Sequence, residues 1–134
     1  LFSWSGSLLV DIWTGGLGAL NQHLFKVTSD IYKKWFILSW TKYHLEEFQR
    51  IAKSKATTMG HIQRKHLSEA KTIIPPKDLM EKINNIFEPL LERQLNARLE
   101  SKFLSQMRNA ILPKLISGEL KILDAKKIIE EAEI

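Results

Sequence analysis

The chain has 134 residues, 44% hydrophobic and 26% charged, with 20 Lys and Arg against 15 Asp and Glu for a net charge of +5. That is one domain's worth of sequence, or a piece of one, with enough charge for solubility. Cysteine is absent, which excludes disulfides and thiolate metal sites and is compatible with the cytoplasm, and no run approaches the roughly 20 apolar residues a membrane span needs.

The first residues, "LFSWSGSLLVDIW", carry neither a Met nor a basic region ahead of their apolar stretch, so they do not read as a signal peptide. Their composition is strand-like from the second position, and the expectation is a piece of a longer protein whose N-terminal part precedes it. Residues 7 to 13, "SLLVDIW", and 23 to 27, "HLFKV", are short runs rich in β-branched and aromatic residues, and they predict strands. The segment between them, "TGGLGALNQ", is a glycine-rich turn.

From residue 30 to 50, Ile31, Trp35, Leu38, Leu45 and Phe48 recur near helical spacing, with Tyr43 less regular. Behind Ser29 or Asp30 as a cap, they predict an amphipathic helix packed on those strands. "KSKATTMG" breaks the pattern as a basic loop, "QRKHLSEA" predicts a short helix, and "KTIIPP" is strand-like, closed by its paired prolines.

The period changes at Lys77. Ile83, Leu90, Ala97, Leu104 and Ile111 recur every seven residues, with Phe87, Gln94, Ser101 and Arg108 in the companion positions. Leu91, Leu95, Leu99, Phe103 and Met107 step by four along the adjacent face. A helix over 77 to 112 would be about 50 Å long, more than a compact chain of this size can cover, which predicts another long helix against it. Pro89 predicts a bend or a division into two helices. Pro113 and Gly118 read as stops, followed by a short extended piece and a small terminal helix.

Charge is divided unequally. Residues 1 to 76 hold ten Lys and Arg against five acids, whereas residues 77 to 134 hold ten of each. The excess concentrates in 50 to 71, where Arg50, Lys53, Lys55, Arg64, Lys65 and Lys71 face one acid, Glu69. Such asymmetry points to a polyanion met by one end of the chain, with Lys and Arg neutralising phosphates and Gln, Asn, Arg and His able to read base edges. A solvated basic face with no partner is the competing account.

No catalytic centre emerges. "GLGALN" begins like a dinucleotide fingerprint but lacks its last glycine and the following helix, so a tight turn explains it better. His61 and His66 have no carboxylate pair or cysteine beside them and make no metal site. Glu69 and Lys71 stand in the E-x-K order of many metal-dependent nucleases, with Asp11 and Asp30 as loose candidates for the further acid. A solvated helix end is the simpler reading. No cofactor or metal is expected.

Five segments in order, "LFSWSGSL", "GALNQHLFKV", "SKATTMGHIQRKHL", "TIIPPKDLMEKI" and "RNAILPKLISGELKI", resemble the specificity subunits of type I restriction-modification systems over about residues 1 to 122. The resemblance implies an α+β fold: a partial mixed α/β target recognition domain over 1–76, a long coiled-coil-type spacer helix over 77–112, and a C-terminal turn and short helix over 113–134. It implies a non-catalytic, cytoplasmic chain that reads half of a split site in double-stranded DNA. Methyltransferase subunits and, through them, a restriction subunit are its implied partners. "KATT" makes the basic loop longer than the common pattern. Only one spacer helix is present, so a second copy, as a homodimer, or another part of the parent protein would supply its antiparallel mate.

Lys53, Lys55, Arg64 and Lys65 are the expected phosphate contacts, and Thr57, Thr58, His61 and Gln63 the expected contacts near bases. Gln22 and His23 rank below them, because "NQH" can brace the fold instead. Ile83, Phe87, Leu90, Ala97, Leu104 and Ile111 are the expected spacer and dimer seam.

Overall fold

The computed structural model describes residues 1–54 and 60–132. It is mostly helical, with one small sheet, and divides into two compact units, 1–93 and 94–134. In chain order the elements are β1 (Phe2–Ser3), β2 (Leu24–Phe25), α1 (Lys34–Tyr43), α2 (Leu45–Ser54), α3 (Arg64–Glu69), α4 (Lys77–Ile116) and α5 (Ile122–Ala132).

The first six residues organise the first unit. β1 pairs antiparallel with β2, Phe2 opposite Phe25 and Ser3 opposite Leu24. Single bridges join Phe2 to Val10 and Ser5 to His61. The Ile62 N–H donates to the Trp4 carbonyl at 3.0 Å and the Gly6 N–H to the Gly60 carbonyl at 2.9 Å. One extended segment thus collects three distant pieces of chain. Residues 7 to 13, expected as a strand, contribute only the Val10 bridge. Their neighbour is satisfied another way: the Leu8 carbonyl accepts the Gln49 side-chain amide at 2.9 Å, a helix side chain standing where a strand would.

Phe2, Leu8, Phe48, Ala52 and Ile62 form the buried core, with Trp4, Val10, Phe25, Leu45, Ile51 and Leu67 packed on it. The alternation of burial across His61, Ile62 and Gln63, exposed, buried, exposed, is that of extended backbone lying on a core.

The helix expected over 30 to 50 starts later and is interrupted. The Ser29 hydroxyl accepts the N–H groups of Ile31 and Tyr32 at 3.2 and 3.0 Å, so it closes a turn ahead of α1 rather than capping it. Lys33 takes the cap position without a side-chain bond. Between α1 and α2 the hydrogen-bond ladder continues through His44, whose N–H reaches Trp40 and whose carbonyl accepts Phe48. The interruption is a single residue, and there the His44 ring reaches across to donate from Nε2 to the Lys71 carbonyl at 2.9 Å.

"KTIIPP" forms no strand; it is an irregular connector with Ile73 and Ile74 exposed. Prolines at 75 and 76 remove two N–H groups, and among the described residues no neighbouring strand pairs with it. Pro76 instead leads into α4, its carbonyl accepting the Met80 N–H at 2.9 Å.

The 40 residues of α4 run without division through Pro89 and on through Pro113. Each proline forfeits one intrahelical bond, but both lie on exposed turns where water can satisfy the freed carbonyl. Pro113 is therefore inside the helix, and its own carbonyl accepts the Ser117 N–H at 3.0 Å. Gly118 is the actual stop. Its φ of 75° is the left-handed C-cap conformation, with its N–H on the Leu115 carbonyl and the Leu120 N–H on that of Lys114. The extended piece expected after it is replaced by α5, which begins four residues on.

Candidate nucleic-acid interface

The basic segment is presented by the end of α2, the extended stretch 60–63 and the start of α3. Lys53 lies in the last turn of α2, exposed. Lys55, Thr57 and Thr58 lie outside the described residues. Gly60 packs against α2: a methyl group built there would meet the Ala52 carbonyl oxygen at 2.5 Å. Only glycine fits that approach without displacement. Ile62, 4% exposed, then pins the segment in the core, which turns His61 and Gln63 outward on either side.

α3 follows at once. The Gln63 N–H donates to Nδ1 of His66 at 3.0 Å, closing the first turn from the N-cap, and Arg64 and Lys65 project from that turn into solvent. Lys65 pairs with Glu69 at 3.6 Å, an exposed contact worth well under about 1 kcal/mol that a phosphate can displace. Arg50 differs. Its guanidinium grips Glu47 at 2.6 and 2.8 Å, and that hydrogen bonding and charge push its pKa above the usual arginine value, so its charge is largely answered within the helix. Among the described residues, neither Lys53 nor Arg64 has a carboxylate partner.

Beside His61 the structure assembles a cluster that the sequence reading ranked low or missed. Trp4 stacks on Phe25, with ring centroids 6.1 Å apart, and touches His23 at 5.6 Å and the edge of His61 at 6.4 Å. The Trp4 indole N–H donates to the Gln22 carbonyl at 3.2 Å. His23 sits in a chain of bonds: Nδ1 lies 2.9 Å from the Ser5 hydroxyl and Nε2 3.3 Å from the Gln22 side-chain nitrogen. An imidazole carrying its proton on Nδ1 donates to Ser5 and accepts from Gln22, which satisfies both. His23 thus braces the fold, whereas Gln22 stays exposed, with its Nε2 directed to His23. A glutamine so held has the donor and acceptor pair that matches adenine in a major groove.

Trp4 was legible only as part of a motif without a role, because its partners are 18 or more residues away. The E-x-K residues are engaged separately: Glu69 with Lys65, and the Lys71 carbonyl with His44. Asp11 accepts the N–H of Ile12 at 2.9 Å. Among the described residues, no three His, Asp or Glu side chains gather closely enough to hold a metal ion, and no helix is long and apolar enough to cross a membrane.

Along α4, Ile83 and Ile111 are half-buried, while Phe87, Leu90, Ala97 and Leu104 are exposed. The neighbouring Leu99 and Phe103 are exposed as well. Phe87 stacks on Trp35, whereas Leu90, Leu99, Phe103 and Leu104 form an apolar stripe that stays exposed among the described residues.

The chain is similar to the type I restriction enzyme MjaIX specificity subunit of Methanocaldococcus jannaschii, with 29% identity over 103 residues. The match covers 75% of this chain and 23% of that protein, so the chain spans less than a quarter of its relative's length. No family model and no solved structure matches.

Proposed function

From its homology to a type I restriction enzyme specificity subunit, we propose that this chain belongs to the non-catalytic, cytoplasmic DNA-reading component of a restriction-modification complex. In this reading residues 1–76 are the C-terminal part of a target recognition domain, 77–112 a spacer helix, and 113–134 the turn and short helix beyond it. Lys53, Lys55, Arg64 and Lys65 hold phosphates of double-stranded DNA. Thr57, Thr58, His61 and Gln63, joined by Gln22, lie toward the bases. Methyltransferase subunits, and a restriction subunit through them, supply the chemistry and are directed to a split site.

The homology carries the proposal. The separation of charge supports it, since all the excess positive charge lies before residue 77. Phosphate binding draws on that charge directly, because each neutralised phosphate releases counterions.

A second reading rests on the stripe along α4, where Leu90 and Leu104 remain more than half exposed. Such a face suits a coiled-coil scaffold for dimerisation or subunit docking, with the basic end incidental. Sedimentation velocity with and without duplex DNA separates the two. DNA recognition predicts that the chain co-sediments with duplex at low salt and dissociates as salt rises; self-association with indifference to DNA would select the scaffold.

A further inference from the structure

The first turns of α4 are fastened to α1 by side chains of three different chemistries. Trp35 is buried, and its indole N–H donates to Oδ1 of Asn84 at 2.8 Å. Its ring stacks on Phe87, with centroids 4.9 Å apart and planes 27° from parallel. Two residues before it, at the N-cap of α1, Lys33 reaches Glu88 at 3.0 Å. Asn84, Phe87 and Glu88 are spaced three and four apart, so they form one face of α4. Trp35 is itself braced by the edge of Phe36 at 5.5 Å.

An apolar seam alone would hold the two helices together while tolerating slip. A hydrogen bond to a buried indole does not, because the donor accepts a partner only along one direction and is costly to leave unmade. Asparagine is also a weak helix former, so its position inside a helix is explained by the acceptor it supplies rather than by the helix itself. The stack and the ion pair on either side then restrict rotation of α4 about its own axis.

The geometry points to Trp35, Asn84 and Phe87 as a joint that locks the first turns of α4 in one register on α1, making Trp35 and Asn84 positioning residues for the distance between DNA half-sites. This rests on the spacer reading of α4 given above.

The test uses the chain assembled with its methyltransferase subunits. Binding is measured on duplexes carrying the complex's own methylated site with the native spacer, or with one base pair added or removed. Asn84→Leu keeps the size and removes the acceptor, whereas Asn84→Asp keeps an acceptor. Asn84→Leu is expected to reduce the preference for native spacing by about tenfold, and Asn84→Asp to retain it. Amide hydrogen exchange over residues 80 to 90 is expected to quicken by a similar factor in Asn84→Leu only. Wild-type exchange and spacing preference in Asn84→Leu would overturn the proposal, as would an equal loss of binding to all three duplexes. A wild-type complex that binds the three alike would overturn the spacer reading and the positioning role with it, while the exchange measurement still decides whether the joint exists.

Discussion

Gly60 shows how one residue positions the candidate interface. It lies against the Ala52 carbonyl of α2, two residues before Ile62 enters the core, so its missing side chain lets the 60–63 segment sit down on the helix. Gly60→Ala forces that segment away and is expected to destabilise the chain by about 1–3 kcal/mol. Urea unfolding checks this: the midpoint should fall with an unchanged slope. The identities of His61, Gln63, Arg64 and Lys65 as exposed polar groups were readable from the sequence, because Ile62 alone interrupts them and the chain alternates. Trp4 and the Ser5, His23 and Gln22 bonds were not, since those contacts close over 18 residues and depend on which strands pair.

At the scale of elements, long patterns were legible and short ones less so. The seven-residue period from Ile83 to Ile111 predicted a helix that exists and runs four residues past its expected end. Proline is a strong signal against a helix interior, yet at 113 the helix continues, because the site is exposed and the next turn closes on the Pro113 carbonyl. Gly118 sets the boundary by adopting a positive φ that an L side chain rarely takes. Gly118→Ala should therefore fray the last turn, costing about 1 kcal/mol locally, and faster amide exchange at residues 117 to 120 is the expected sign. The β-branched run at 7 to 13 misled for a different reason: composition favours a strand there, but Gln49 rather than a neighbouring strand satisfies the Leu8 carbonyl.

For the whole molecule, the division of charge is a simple feature and a consequential one. Residues 1 to 76 carry the entire +5, and the later half is neutral. The proposed recognition unit and spacer helix account for that division, as they account for the exposed Leu90, Leu99 and Leu104 on α4. The similarity to a specificity subunit agrees with these observations and with the order of the five sequence motifs. The measurement that tests this most directly is the salt dependence of duplex DNA binding by the wild-type chain and by the double variant Lys53→Ala, Lys55→Ala. Two lost phosphate contacts should weaken binding and make the slope of log affinity against log salt shallower by about 1.8. A folded double variant with wild-type affinity and slope would contradict the assignment of this basic segment to DNA.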